Sequence, residues 1–281
     1  MEKIESIEQL KELTMYIRNM REGFVTNFYL DEAKHGAWIE TEQFLYDKFD
    51  DTVLLLFDHE DPRSENYFTN LFYISTSIEA VIEHLKVYRE TYDYDWYVMD
   101  VVERKVESQE SRVKSAVDSL LEMGAHHEAT LVRMNRITVS GERLEVIGDE
   151  RVVYAEPEDA ERIDGILHAN FDEKLEQLPL VSELRQMITD KRILKCVIDG
   201  QIAGLVLFEL NASTLYLRYW LTLSEYRDKG VGSALLRRFF YEGRETKRQM
   251  LWVREDNENA IKRYEHYGFA KEKMFDYILF Y

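Results

Sequence analysis

The sequence of 281 residues has little cysteine, proline or glycine, and it has no long apolar run. Its one cysteine, Cys196, excludes an internal disulfide framework and a cysteine-rich metal site. Three prolines and 12 glycines argue against long linkers and low-complexity tails. The apolar runs, such as TVLLLF and GLVLF, are far shorter than the ~18 residues of a membrane helix. The charged start MEKIESIEQLKEL lacks the apolar core of a signal peptide, so we expect a cytoplasmic protein without membrane contact.

Basic residues are also scarce: 36 lysines and arginines stand against 54 aspartates and glutamates, and the formal net charge is -18. This balance argues against nucleic-acid binding through a basic surface. Residues 1–140 contain 15 basic and 28 acidic residues, whereas 141–281 contain 21 and 26, so the first half is the acidic one. The negative charge of the first half either keeps the protein soluble or helps to attract a cationic substrate such as an amine.

Apolar periodicity predicts helices and strands along the chain, and therefore a mixed-sheet α/β fold. Residues 67–136 and 214–281 share one predicted order of elements: strand, helix, strand, helix, glycine, strand. The segment SGERLEVIGDERVV is typical of a connecting hairpin, so we expect one domain at 1–140 and a second at 141–281. The shared order has two interpretations: a tandem pair whose first copy is degenerate, or two instances of a common arrangement.

The stretch SEYRDKGVGSALL places two glycines between a predicted strand and a helix that begins near Val231. A helix N-terminus has unsatisfied N–H groups and partial positive charge, and glycine lets the backbone approach a phosphate closely. Arg227 and Lys229 add positive charge beside the two glycines. The pattern therefore predicts a pyrophosphate site at this corner.

Three kinds of phosphate loop compete for this pattern. The G-x4-G-K-[ST] sequence of a Walker loop is absent. A dinucleotide loop needs a third glycine where Leu235 stands, although Glu255 ends the next strand at a suitable distance for a ribose contact. Too little chain follows for a full dinucleotide sheet. The third kind is a loop that binds acyl-CoA.

Two motifs resemble the GNAT superfamily of N-acetyltransferases. The phosphate motif R/Q-x-x-G-x-G/A occurs as Arg227, Gly230 and Gly232, after the lead-in LTLSEYR. The later motif L-x-V-x-x-x-N-x-x-A-I-x-x-Y-x-x-x-G-F is matched by LWVREDNENAIKRYEHYGF. The resemblance covers about 151–281 and implies a GNAT-like acyl-CoA N-acyltransferase fold. The first half has YISTSIEAV in place of the loop, so a GNAT-like first copy would not bind CoA in the same way.

The resemblance implies acetyl-CoA as the cosubstrate, with its pyrophosphate facing the amides of the loop. These amides belong to Arg227, Asp228, Lys229, Gly230, Val231, Gly232 and Ser233. It also implies that the strand edge near Leu221 and Leu223 pairs with the pantetheine arm and donates an N–H to the oxyanion. Asn257 is a candidate helix N-cap and, by the resemblance, also a cofactor contact.

Acetyl transfer to an amine needs a base for the amine and an acid for the leaving thiolate. Glu209, at the end of GLVLFEL, and Glu225, beside the loop, are candidate bases, and each is otherwise a solvated surface residue. Tyr264 stands at the family's usual acid position, and its alternative role is that of a packed aromatic residue. Tyr219 or Trp220 could line an acceptor pocket.

The sequence thus predicts an acetyl-CoA-dependent N-acetyltransferase that acts on a primary amine of a small molecule. Its first domain would form a wall of the acceptor site or a homodimer surface. The alternatives are a non-catalytic CoA-binding or interaction module and a nucleotide-binding domain. We expect no metal site, because the adjacent His126 and His127 face opposite sides of a strand.

Overall fold

The structure is a computed structural model that describes residues 1–20, 23–59, 68–91, 97–104, 112–138 and 149–281. Its strands are β1 (Glu2–Lys3), β2 (Val25–Thr26), β3 (Phe44–Lys48), β4 (Thr52–His59), β5 (Phe68–Ser75), β6 (Tyr97–Arg104), β7 (His126–Ile137), β8 (Val152–Tyr154), β9 (Ile193–Ile198), β10 (Gln201–Asn211), β11 (Thr214–Thr222), β12 (Arg248–Arg254) and β13 (Ala270–Phe280). Its α-helices are α1 (Ile7–Arg18), α2 (Glu32–Glu40), α3 (Ile78–Thr91), α4 (Arg112–Glu122), α5 (Ala160–Asn170), α6 (Glu173–Glu176), α7 (Val181–Thr189), α8 (Val231–Glu242) and α9 (Glu258–His266).

The first of two compact units comprises Met1–Leu131, Asp172–Gln177 and Lys273–Tyr281. Its strands lie in the order β1-β3-β4-β5-β6-β13, and β2 pairs with β5. The sequences TVLLLFDH of β4 and FTNLFYIS of β5 are largely apolar, and both strands are buried over most of their length. Helices α3 and α4 pack on this sheet through Val81, Leu85 and Leu120.

The second unit comprises Val132–Phe171 and Leu178–Glu272. Its strands lie in the order β8-β9-β10-β11-β12, followed by the end of β7. A tight turn joins β9 to β10, where Asp199 and Gly200 have φ values of 50° and 73°. Leu207 packs with α5 and α7, while its neighbour Phe208 contacts Phe239 of α8, because successive strand residues face opposite sides.

The two halves of the sequence build the same succession of elements: β5-α3-β6-α4-β7 and β11-α8-β12-α9-β13. Each succession contains one parallel strand pair, β5 with β6 and β11 with β12. The second helix of each is followed by a left-handed glycine, Gly124 with φ 99° and Gly268 with φ 88°. In both copies the residue after this glycine donates its N–H to the carbonyl five positions earlier, as at many helix ends. The predicted shared order is confirmed.

The compact units do not coincide with the two halves of the sequence. The first unit includes the end of the chain, where β13 pairs antiparallel with β6 along Met274–Phe280. The second unit begins at Val132, within β7. The first unit therefore contains most of β13, the last strand of the second half of the sequence, and the second unit contains the end of β7, the last strand of the first half. The predicted boundary between residues 140 and 141, and most of the predicted hairpin around it, lie outside the described residues.

Candidate active site

Strands β11 and β12 of the second unit pair only at their beginning. Parallel pairing joins Thr214–Leu217 to Arg248–Leu251, and within the described residues it stops there although both strands continue. On its other side β11 pairs with β10 as far as Thr222. This second pairing shifts register at Arg218, where β11 has one extra residue, as in a β-bulge that bends a strand. A strand gap therefore separates β11 from β12 beyond Leu217.

The backbone of β11 directs hydrogen-bonding groups into this gap. The N–H of Leu223 donates to the carbonyl of Ala203 at 3.0 Å, on the β10 side. Alternate residues of a strand direct their N–H groups to opposite neighbours. Leu221 thus also faces β10, whereas Trp220 and Thr222 face the strand gap. The N–H of Leu223 is therefore already bonded to β10, and the cofactor contacts at Leu221 and Leu223 stay a prediction.

Helix α8 begins with free backbone amides. Asp228, with φ 64°, and Gly230, with φ 73°, turn the chain into the helix. In the part of the chain that the structure describes, the N–H groups of Gly230, Val231, Gly232 and Ser233 have no acceptor; the first helical bond runs from Ala234 to Gly230. Free amides and the helix dipole together favour an anion at this position.

Two glycines make this corner possible. Gly230 adopts a left-handed conformation that other residues rarely accept, and a Cβ there would meet open space. A Cβ on Gly232 would lie 3.2 Å from Trp220 Cζ2 and 3.2 Å from Thr222 Oγ1. The first turn of α8 thus rests directly on the two residues of β11 that face the strand gap.

Cationic side chains surround the free amides. Arg227 and Lys229 are exposed, and Lys229 Nζ lies 4.9 Å from the ring centroid of Tyr226. Arg151 donates from Nη1 to the carbonyl of Lys229 at 3.2 Å, while Nε and Nη2 bind the carboxylate of Asp149 at 2.8 and 2.7 Å. Arg151 therefore holds the loop, and Asp149 balances its charge. Sequence reasoning missed this residue, because no motif links positions so far apart in the chain.

Helix α9 places the half-buried Tyr264 beside Trp220, with ring centroids 5.6 Å apart. The Nε1 of Trp220 is buried and has no acceptor among the described residues. One turn along α9, the hydroxyl of Tyr267 donates to Ser233 Oγ at 2.8 Å. A half-buried phenol and an unpaired indole N–H thus lie beside the first turn of α8.

Asn257 caps α9 as the sequence predicts. Its Oδ1 accepts the N–H of Ala260 at 3.1 Å, and the side chain is exposed. The predicted N-cap is confirmed, and the cofactor contact of this residue stays a prediction.

Glu209, a candidate base or a solvated surface residue by its sequence, is paired with an arginine and stays partly exposed. Its Oε1 lies 3.2 Å from Nη1 of Arg218, whose side chain is only 10% exposed. Burial by itself lowers the pKa of Arg218, but Tyr219, Glu209 and Glu183 outweigh it and keep that pKa above its usual value. Tyr219 is buried and packs its ring on Phe171 at 5.1 Å.

Glu225, the other candidate base, is exposed beside the loop. It accepts a hydrogen bond from Ser224 Oγ at 2.9 Å. Its own backbone N–H and this hydroxyl lower the pKa of the carboxyl, which makes Glu225 a weaker base than an ordinary glutamate.

The first unit contains a corresponding strand gap, which its own chain fills. The parallel pairing of β5 with β6 ends at Leu71, and β2 pairs with β5 beyond that point. Asn27 Nδ2 donates to the carbonyls of Leu71 and Asp100, both at 3.1 Å, and Asn27 Oδ1 accepts the N–H of Tyr73 at 2.7 Å. One side chain therefore bridges both strands where the second unit is open.

The described residues contain no group of three or more His, Cys, Asp or Glu side chains that could hold a metal ion. Cys196 is buried, and burial raises the pKa of its thiol, so it lacks thiolate character. None of the helices in the described ranges has both the length and the apolar character to cross a membrane.

Residues 161–269 match the acetyltransferase (GNAT) family. No curated protein matches the chain. Among solved structures, a GCN5-related N-acetyltransferase from Sphaerobacter thermophilus aligns with 93% of this chain and 96% of its own, at 14% identity and a TM-score of 0.54. An acetyltransferase of the GNAT family from Colwellia psychrerythraea aligns over 99% and 97%, at 14% identity and 0.53.

A tandem GNAT protein from the clavulanic acid biosynthesis pathway aligns with 82% of this chain and 78% of its own, at 15% identity and a TM-score of 0.54. At such identities the likeness shows a shared fold. The predicted fold class, a mixed-sheet α/β GNAT-like fold in tandem, is confirmed.

Proposed function

We propose, from the premise that residues 161–269 belong to the acetyltransferase (GNAT) family, that the chain transfers the acetyl group of acetyl-CoA to a primary amine of a small molecule. One observation carries this proposal: four free amides at the start of α8 lie beside a strand gap whose edge is unpaired.

The second unit has the groups that CoA needs. The amides of residues 230–233 suit the pyrophosphate, because helix N-termini bind such anions with both dipole and N–H groups. Arg227 and Lys229 would add charge-assisted contacts. The pantetheine arm contains amides, so it would pair with the backbone of Trp220 and Thr222 as an added strand does.

Tyr264 is the proposed acid. Bound acetyl-CoA would supply the acetyl group as a thioester, and a phenol, protonated at neutral pH, has a proton for the leaving thiolate. The position of Tyr264 against Trp220 supports this role, since Trp220 borders the strand gap. The indole N–H of Trp220 lacks an acceptor in the described part of the chain, so it is free to donate to the bound cosubstrate.

Glu209 is the proposed base, directly or through a water. Arginine stays protonated in proteins, so Glu209 is the member of this pair that has lone pairs for a proton. The pair also fixes the carboxylate in one position. The acceptor amine must lose a proton before attack, since a free alkylamine has a pKa near ~10.4.

Among the described residues of the first unit, Asn27 and β2 fill the strand gap that would be the comparable cofactor site. We therefore propose one acetyl-CoA site per chain, in the second unit. We also propose that the chain acts on its small-molecule acceptor in the cytoplasm and does not bind nucleic acid. Assembly as a homodimer is part of the same proposal.

The test combines calorimetric titration with acetyl-CoA and a thiol-release assay across a panel of amines. Binding with a stoichiometry near one, and release of CoA with at least one primary amine, are the expected results. Tight binding without release across a broad panel would instead favour a non-catalytic CoA-binding module. Stabilisation by NAD or ATP but not by CoA would favour a nucleotide-binding domain.

Tyr264→Phe tests the acid, and Tyr267→Phe is its matched control. Removing the Tyr264 hydroxyl should lower kcat by about 10²-fold or more while the Kd for acetyl-CoA stays within about twofold. Tyr267→Phe removes a hydroxyl that only donates to Ser233, so kcat should change little. Equal kcat values for wild type and Tyr264→Phe would end the acid assignment.

A further inference from the structure

The first unit holds two carboxylates on one face of its sheet. In the antiparallel pair of β6 and β13, Asp100 lies opposite Ile278 and Asp276 lies opposite Val102. Directly opposed residues share a face, and so do residues two apart along a strand. Asp100 and Asp276 are therefore diagonal neighbours on the same face, close enough to contact one small group together.

Asp276 is buried without a hydrogen-bond partner. The residue is only 8% exposed, and its Oδ1 has no donor among the described residues. Burial raises the pKa of Asp276 well above its usual value, and the nearby Asp100 raises it further. Such an oxygen costs free energy unless a donor reaches it.

The surroundings of Asp100 supply some of its donors but leave the pair acidic. Asp100 accepts a hydrogen bond from Gln177 Nε2 at 2.7 Å. Burial raises the pKa of Asp100 to about 6, although Lys34 and Gln177 oppose this rise. Asp100 is half-buried, so solvent reaches this member of the pair, whereas Asp276 is buried. Asp100 and Asp276 repel each other when both are ionised, so a cation that reached both would relieve this repulsion.

We propose that Asp100 and Asp276 form a binding site for the primary ammonium group of a small cationic amine. An ammonium group has three N–H donors, enough for Asp276 Oδ1 and for Asp100 at the same time. A metal ion fits less well, because no described group of three ligating side chains occurs here. The site lies wholly within the first unit, and it does not depend on acetyl transfer by the second.

The competing explanation is a single proton shared between the two carboxyls. A shared proton would satisfy Asp276 without a ligand, and added amine would then have no effect beyond that of salt. The two explanations thus differ in a direct binding measurement.

The experiment measures the melting temperature of the full chain at pH 8 with increasing n-butylammonium chloride, against equal concentrations of sodium chloride and of n-butanol. We expect a saturable rise with n-butylammonium that neither reference reproduces. Asp276→Asn should weaken this binding at least about tenfold, because it removes a charged acceptor. Glu83→Gln removes one exposed charge from α3, which pairs with Lys86 at 2.6 Å, and should bind as wild type does.

Asp100→Asn is the second variant, and it tests the proposal if Asp276→Asn does not fold. It too should weaken the binding, because it removes the other carboxylate. The proposal is overturned if n-butylammonium does no more than sodium chloride, or if a folded variant at either position binds as tightly as Glu83→Gln.

Discussion

Gly232→Ala probes the contact between the start of α8 and the edge of β11. A Cβ at this position would lie 3.2 Å from Trp220 Cζ2 and from Thr222 Oγ1, so the neighbours must yield by a few tenths of an ångström. The indole cannot yield freely, because Tyr264 and Tyr267 pack on it at 5.6 and 6.1 Å. We therefore expect α8 to move away from β11.

The expected loss of stability is at most about 2.5 kcal/mol, since overpacking costs ~1–3 kcal/mol while alanine gains ~0.5–1 kcal/mol over glycine in a helix. Binding of CoA should weaken as well. Each charge-assisted hydrogen bond contributes ~1.5–3 kcal/mol, and a displaced helix start weakens several of them. Loss of about 1.4 kcal/mol corresponds to a tenfold rise in the Kd for CoA.

The assay is calorimetric titration of CoA and of pantetheine, which lacks the pyrophosphate. Gly232→Ala should weaken CoA about tenfold and leave pantetheine within about twofold. Gly165→Ala is the matched control, because Gly165 lies inside α5 and a Cβ there meets nothing within 4 Å. The reasoning is refuted if folded Gly232→Ala binds CoA as wild type does, or if both ligands weaken equally.

Two further predictions concern the first unit. Asn27→Ala removes a side chain that makes three hydrogen bonds across the strand gap, so denaturant unfolding should show a loss of about 2–3 kcal/mol; an unchanged free energy would argue against the bridge. Asp100→Asn tests the pKa of the Asp100 carboxyl, which burial raises from 3.8 to about 6. The protonated carboxyl suits the buried position, so its contribution to stability is complete below about pH 4 and is lost as the pH rises through 6. Above pH 7, Asp100→Asn should therefore be more stable than wild type by up to about 3 kcal/mol, and below pH 5 this difference should shrink. A stability difference that does not change with pH would contradict the raised pKa.

The sequence was most informative where function depends on residues close together in the chain. The turn into α8 needs a left-handed residue and a close helix contact, and Gly230 and Gly232 supply both within three positions. The cap at Asn257 follows from a side chain that reaches its own helix. Local chemistry of this kind needs no tertiary context.

Contacts between distant segments could not be predicted in this way. The N–H groups of β11 point alternately to its two sides, and the hydrogen bond from Leu223 to Ala203 decides which of them point to β10. The support from Arg151 to the loop spans 78 positions, and the bridge made by Asn27 spans up to 73. Helix α2 has only a weak signal of its own, because Gly36 interrupts its apolar pattern although Asp31 caps it.

The two strand gaps argue together for what the second one binds. Where two parallel strands separate, each leaves backbone groups that need partners. In the first unit the carboxamide of Asn27 satisfies both strands, with its N–H groups on two carbonyls and its oxygen on an N–H. An amide is thus the group that such a gap accepts. In the second unit, among the described residues, β12 provides no partner for β11 beyond Leu217, and the free amides of α8 lie at the same end. A ligand with amides in its arm and a pyrophosphate at its end would satisfy both features at once, which is why we propose CoA for this unit and not for the first.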